Sequence, residues 1–295
     1  MRKAFTPLVL LAACGNSQTA PTGQVLATNA CAHDQITVNS GYVAWLDSCN
    51  GSVDILAKSG GTPTILASGG VIASALAVDE QFAYFGELDN IKRVPLSGGT
   101  PTELANVEEN LSTGLADQFA IDSANLYASN GTSLLQMPKD GSAPFQAIGT
   151  SEIGARIIAD SNAIYWAMVS AIHKLAKSDG AVDQQLVVLD RPDNFLYEPI
   201  SLTATDLFYI DNQLYAIPTA GGAPIVVDSN AGGQPGLATD ATYAYWAQGN
   251  TVVRGDDTGA IDQLAFSQDG VNGIAVDADS VYYADIDGQL FRADL

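Results

Sequence analysis

Along this chain apolar and polar positions alternate in short runs, and one eight-position pattern returns seven times. Its clearest copy, at 276–283, reads Val-Asp-Ala-Asp-Ser-Val-Tyr-Tyr. An apolar residue is followed by an oxygen-bearing one, then by turn formers, then by a β-prone stretch ending in an aromatic pair. The copies begin at Val38, Val78, Ile121, Ala159, Leu202, Thr239 and Val276, at spacings of 40, 43, 38, 43, 37 and 37 residues. Short runs bounded by turn residues predict strands. Self-similarity at such a period predicts a propeller or a solenoid.

The repeat at 73–105 shows the parts. Residues 73–79 form a first strand, A, of small and apolar residues that suits the crowded centre of a ring. Glu80 and Gln81 turn the chain into an aromatic, strand-prone second strand, B, at 82–86. Asp89 and Asn90 make the next turn. A third strand, C, at 91–96 carries Pro95 near its end, where a lost donor costs least. A turn at 97–101 leads to a short outer strand, D, at 102–105. Four strands per repeat fit a propeller blade. β-Helix repeats are much shorter, and no helical period appears.

The register also predicts how the ring closes. The seventh copy reaches only its C strand by Leu295, whereas Gln24-Val25-Leu26-Ala27 resembles the D strands Thr64-Ile65-Leu66-Ala67 and Thr102-Glu103-Leu104-Ala105. Residues 24–28 are therefore expected to complete the last blade and remove an open edge. The expected fold is all-β: a seven-bladed β-propeller of four-stranded antiparallel blades over 24–295.

Composition narrows the partners. The chain has 295 residues, 47% of them hydrophobic, enough for a sizeable core in one all-β domain. Its 12 Lys and Arg stand against 33 Asp and Glu, a net charge of −21. That balance argues against nucleic acid and anionic lipid and favours solubility, while leaving a basic partner or cations compatible.

Residues 1–13 place Arg2 and Lys3 before a short apolar run, the arrangement of a secretory signal and too short for a spanning helix. The run ends in Leu11-Ala12-Ala13-Cys14, which resembles the lipobox of bacterial lipoproteins. That resemblance implies cleavage before Cys14 and acylation of its sulfur, a stable anchor because each buried CH₂ contributes about 0.8 kcal/mol. Gly15 stands where an Asp would favour inner-membrane retention in Gram-negative members, so the resemblance implies the outer membrane in such an organism. An ordinary cleaved signal is the other reading. Residues 14–23 then form the acylated start and a small, polar, flexible tether.

Cys31 and Cys49 remain, and an even pair in an exported chain reads as a disulfide. It would close a loop of about 18 residues and stabilise by about 3 kcal/mol in the chain-entropy account. Two free thiols are the alternative; zinc is discounted because only His33 lies nearby. In the propeller register both cysteines fall on one face, at the closure seam.

The Val-Asp ending strand A, the pairs Tyr84-Phe85, Tyr165-Trp166 and Tyr245-Trp246 on strand B, and the run from Ile91 to Gly99 resemble the YWTD (low-density-lipoprotein-receptor type) and NHL propellers. The resemblance covers about 24–295. No complete Tyr-Trp-Thr-Asp occurs, and Thr203 stands where Asp is expected. Members mostly bind proteins or peptides and some bind glycans, so the resemblance implies a binding scaffold.

Two readings compete for the repeated Asp79, Asp122, Asp160, Asp240 and Asp277: a ring of carboxylates, or strand-end residues bonding the N–H groups of each turn. The second is favoured because every blade needs the turn. The B–C turns carry Asp47, Glu87, Asp89, Asp211, Asp285 and Asp287, which together suggest one acidic face. Asp285 and Asp287 have a short oxygen-ligand spacing and are the candidates for calcium, without the rest of a calcium loop. No other cofactor is indicated. His173 falls on the fourth C strand, a half-exposed strand residue rather than a general base. No nucleophile elbow or phosphate-binding loop is present. Two long D–A connections hold the partner candidates Glu108, Glu109, Asp193, Phe195 and Tyr197, since aromatic residues in connecting loops can anchor a partner.

The sequence thus reads as an exported, lipid-anchored, monomeric propeller at the bacterial cell envelope, touching the membrane only through its anchor. Its role is non-catalytic binding of an envelope protein, peptide or glycan through the D–A and B–C face. The alternative is a hydrolase or lyase acting on envelope sugars with paired carboxylates on that face.

Overall fold

The computed structural model describes residues 22–28, 30, 32–69, 72–87, 90–106, 119–151, 156–178, 182–189, 199–231 and 236–295. The chain enters as β1 (Gln24–Ala27). Blade 1 is β2 (Ala32–Val38), β3 (Tyr42–Asp47), β4 (Ser52–Ala57) and β5 (Thr64–Ser68). Blade 2 is β6 (Ile72–Val78), β7 (Phe82–Glu87), β8 (Asn90–Pro95) and β9 (Thr102–Asn106). Blade 3 is β10 (Phe119–Ile121), β11 (Asn125–Ser129), β12 (Ser133–Pro138) and β13 (Gln146–Thr150). Blade 4 is β14 (Arg156–Ala159), β15 (Ala163–Ala167), β16 (Ala171–Ala176) and β17 (Gln184–Val188). Blade 5 is β18 (Ile200–Leu202), β19 (Asp206–Asp211), β20 (Gln213–Pro218) and β21 (Ile225–Asp228). Blade 6 is β22 (Leu237–Thr239), β23 (Ala244–Gln248), β24 (Thr251–Gly255) and β25 (Ile261–Phe266). Blade 7 is β26 (Val271–Val276), β27 (Ser280–Asp285), β28 (Leu290–Asp294) and, from the far end of the chain, β1.

The seven antiparallel sheets are the expected seven-bladed propeller, and its closure is the expected one. Gln24 pairs with Arg292, Val25 with Phe291 and Ala27 with Leu290. First strands of consecutive blades touch around the ring, which makes them the inner layer. Gly23 fixes the entry: its N–H donates to Tyr283 Oη at 2.9 Å, and a Cβ there would stand 2.5 Å from that oxygen. The repeated Gly-Gly of the C–D turns is also a backbone requirement, because Gly98 and Gly99 take φ of 87° and 138° and Gly221 and Gly222 take 93° and 148°.

The core is a set of layers between blades rather than a centre. Strand alternation sends the two members of each aromatic pair to opposite sheet faces. Tyr165 packs toward blade 5 with Leu207 and Tyr209, whereas Trp166 packs toward blade 3 with Leu134. Tyr245 likewise meets Val281 and Tyr283 of blade 7, and Trp246 meets Phe208 and Ile210 of blade 5. Both faces of every blade are buried, so the second strands read as continuous apolar runs. Strand limits shift slightly from expectation: Asp79 lies just outside β6 because it serves the turn, and Asn90 starts β8, accepting a bond from Asn106 Nδ2 at 2.8 Å.

Candidate functional site

Antiparallel order places the A–B and C–D turns on one face of the ring and the B–C and D–A connections on the other. On the first face the repeated aspartate does the same work in blade after blade. Asp79 Oδ1 accepts from the N–H groups of Gln81 and Phe82, both at 2.8 Å, while Oδ2 accepts from Tyr84 Oη at 2.9 Å. Asp122 does so with Ala124, Asn125 and Tyr127, Asp240 with Thr242, Tyr243 and Tyr245, and Asp277 with Asp279, Ser280 and Tyr282. Asn39 and Thr203 take over the N–H-accepting half in blades 1 and 5.

Three of these carboxylates also hold the next blade. Lys139 Nζ lies 2.8 Å from Asp79 Oδ2, Lys177 Nζ 2.5 Å from Asp122 Oδ2, and Lys58 Nζ 2.5 Å from Asp277 Oδ2. Each lysine directly follows a third strand, and its N–H bonds the A–B turn of its own blade. The residue in that place is Leu96 opposite Asn39, Thr219 opposite Asp160, Asp256 opposite Thr203 and Leu295 opposite Asp240, so four seams lack the lysine, two of them although the turn has its carboxylate. The lysines are functional to the fold and were not singled out in the sequence; their fixed place after strand C was the available signal.

Electrostatics follow from this arrangement. Burial disfavours ionisation of Asp79, Asp122, Asp240 and Asp277, but the bonds they accept outweigh it and hold all four below the usual carboxylate range, Asp122 at about 2. Burial, reinforced by the adjoining carboxylate, pushes the hydroxyls of Tyr84, Tyr127, Tyr245 and Tyr282 up, Tyr282 to about 12. The repeated aspartates are structural, as the turn reading holds.

The other face carries the candidate binding loops. Its buried carboxylates are committed to turns. Asp47 accepts from the N–H groups of Cys49 and Asn50, and Asp285 from Gln289 N at 2.8 Å and Ser267 Oγ at 3.1 Å. Asp228 accepts from Trp246 Nε1 at 2.8 Å and from Gln248 Nε2. Asp287 is exposed beside this turn. Desolvation and the charges of Asp287 and Asp285 hold Asp269 above the usual range. Among the described residues no group of three or more His, Cys, Asp or Glu is placed to share a metal ion.

Basic residues are placed unevenly between the faces, whereas carboxylates lie on both. Lys58, Lys139 and Lys177 stand on the A–B and C–D face. Arg93 and Lys174 reach the same turns, donating to the carbonyls of Lys139 at 3.1 Å and Thr219 at 2.6 Å. Toward the opposite face lie Asp47, Glu87, Asp211, Asp228, Asp269, Asp285 and Asp287; of the described cations Lys92, paired with Glu87, and Arg156 lie nearest to it.

His173 lies on β16, stacked on Trp166 at 5.4 Å with its Nδ1 2.7 Å from Asp183 Oδ1. Cys49 is disulfide-bonded. Its expected partner Cys31, the lipidation candidate Cys14, Asp89, and the partner candidates Glu108, Glu109, Asp193, Phe195 and Tyr197 lie outside the described residues. The segments holding the last five join β9 to β10 and β17 to β18, both D–A connections.

No protein-family model matches the chain, and no curated protein matches it in sequence. Solved structures match it in fold. A catalytically inactive histidine-to-alanine variant of virginiamycin B lyase from Staphylococcus aureus, with quinupristin, gives a TM-score of 0.67 at 16% identity over 93% of this chain and 98% of that one. BamB from Moraxella catarrhalis gives 0.58 at 11% identity, over 90% and 85%. A chain of a nidogen–laminin complex gives 0.55 at 18% identity, over 77% and 95%. Likeness at these identities shows the propeller fold.

Proposed function

We propose that the chain is an exported, lipid-anchored binding module of the bacterial cell envelope, and that its B–C and D–A face holds a protein, peptide or glycan partner without chemistry. The observation carrying this reading is the uneven placement of cations: carboxylates lie on both faces, but the lysines are spent joining blades on one, which leaves the carboxylates of the other with few basic neighbours. An acidic face with long connections suits a partner presenting cationic groups. The nidogen–laminin chain, taken from a complex of two proteins, supports a propeller used for protein binding. In this reading Cys31 is the partner of Cys49 and locks the loops that flank the seam.

The test is capture from a detergent extract of the native envelope by the acylated protein, at low and moderate salt. A single protein held in stoichiometric amount, released as salt rises and lost in Phe195→Ala or Tyr197→Ala, is the expected result. Capture unchanged in both variants overturns the assignment of these loops.

A second reading is a lyase or hydrolase acting on envelope sugars, of which the likeness to virginiamycin B lyase supports the lyase part alone. That neighbour's inactive form lacks a histidine, whereas His173 here is engaged with Trp166 and Asp183 on a third strand. Turnover of envelope glycans that survives replacement of His173 but not of carboxylates on the acidic face would select this reading over the first.

A further inference from the structure

A different opening lies on the A–B and C–D face, so it stands or falls apart from the loops assigned above. Blade 7 takes its outer strand from β1, and no turn joins that strand to β28. A cavity of about 550 Å³ lies between blades 7 and 1, lined by Asn39, Lys58, Asp277, Asp279, Tyr282 and Arg292 among others. A second, of about 310 Å³, meets Arg292 beside Gly23, Gln24 and Asp294.

Comparison with another seam shows why space remains. Arg292 and Arg93 hold the same register, opposite Tyr282 and Tyr84. Arg93 reaches the next blade and donates to the carbonyl of Lys139 at 3.1 Å. Arg292 stays within its own blade, with Nε donating to Ser280 Oγ at 2.8 Å and Nη2 lying 3.2 Å from Asp294 Oδ1. The wider cavity occupies the ground between Arg292 and Lys58.

The groups lining it have unequal freedom. Lys58 and Asp277 satisfy each other, so neither charge is open to a ligand. The partner of Arg292 is the Asp294 carboxylate, whose side chain is 85% exposed, an ion pair that a solute can displace at small cost. Asp279 is exposed; its backbone N–H donates to Asp277 and its carbonyl accepts from Leu295 N at 3.0 Å, and its carboxylate takes no bond among the described residues. One displaceable cation and one open carboxylate therefore border a single cavity of the size that takes small ligands.

We propose that this cavity binds a small zwitterion of dipeptide size, with the ligand carboxylate on Arg292 in place of Asp294 and the ligand ammonium on Asp279. A guanidinium offers a carboxylate two parallel N–H donors, and Asp279 offers acceptors for an ammonium group.

Isothermal titration of the full chain with L-alanyl-L-alanine tests it, with acetate and ethylamine as probes carrying one charge each. Saturable binding of the dipeptide is expected, at least about tenfold weaker in Arg292→Gln and in Asp279→Asn, with neither single-charge probe saturating. Asp279→Asn alters an exposed side chain, so its result stands even if Arg292→Gln loosens the seam; thermal unfolding of both variants separates the cases. No saturable heat with the dipeptide, equal affinity in Asp279→Asn, or acetate binding as tightly as the dipeptide each overturns the proposal.

Discussion

Lys58 Nζ and Asp277 Oδ2 lie 2.5 Å apart although 219 positions separate the two residues. The same contact joins Lys139 to Asp79 and Lys177 to Asp122. In each case one carboxylate caps its own turn through Oδ1 and receives the neighbouring blade through Oδ2. The local turn signal and the long-range staple are two uses of one side chain.

Replacing the two partners is therefore expected to have unequal effects. Asp277→Ala removes the cap and the staple and should cost about 2–3 kcal/mol. Lys58→Met removes the staple alone and should cost about 1 kcal/mol. Urea unfolding of both variants checks the order; equal losses would mean that the turn bonds contribute nothing.

Stability should fall at both ends of the pH scale. Asp122 has its carboxyl lowered from 3.8 to about 2, so its contribution is present above about pH 4 and is lost as pH falls toward 2. The shift corresponds to something on the order of 2 kcal/mol. Lys177→Met should bring the acid transition closer to pH 4. Tyr282 is raised from 10.0 to about 12, so its contribution is present below pH 10 and is lost as pH climbs through 12. Urea midpoints across pH, with Tyr282→Phe as the comparison, read both limbs.

Gly23→Ala should open the closure. The added methyl would lie 2.5 Å from Tyr283 Oη and 2.8 Å from the Arg292 carbonyl oxygen, so β1 must shift from its partner. A loss of about 1–3 kcal/mol is expected. Earlier proteolytic cleavage ahead of β2, while the rest of the ring stays resistant, would locate the damage.

Asp228→Ala strands a buried donor. Trp246 is fully buried, and its Nε1 donates to Asp228 Oδ2 at 2.8 Å. Loss of that acceptor should cost about 1–3 kcal/mol. Trp45 and Trp166 hold equivalent places with no acceptor for Nε1 among the described residues. If Asp228→Ala unfolds at the same urea midpoint as the parent, water has replaced the carboxylate.

Reduction should weaken the seam. Cys49 is disulfide-bonded, and opening a loop of the expected length costs about 3 kcal/mol in the chain-entropy account. Thermal unfolding with and without reductant, and of Cys49→Ser, measures it. A Cys31→Ser variant with the parent's unfolding temperature would exclude Cys31 as the partner.

The number of blades and the capping role of the aspartates were legible in the sequence because each is local, and the closing strand, although it pairs with the far end of the chain, was legible because Gln24–Ala27 repeats the outer-strand pattern that the seventh repeat lacks. A strand, a turn and the N–H groups that an Asp can reach lie within a few residues, and repetition exposes them. The acidic B–C turns were legible for the same reason. Thr203, a departure from the pattern, still accepts from Asp206 N at 3.0 Å, since any short oxygen-bearing side chain serves that turn.

The remaining features needed the ring. Tyr165 and Trp166 are adjacent in the chain, yet they belong to interfaces with different neighbours, which only the stacking of sheets assigns. The lysines were visible as residues after strand C, but their targets sit on another blade. The gathering of cations on one face and the cavity beside Arg292 arise where distant parts meet. Sequence by itself determined the repeated unit and its order, because backbone hydrogen bonding and turn chemistry act over short separations. Tertiary structure decided which charges neutralise each other and where space is left, because burial and ion pairing depend on positions that closure of the ring alone brings together.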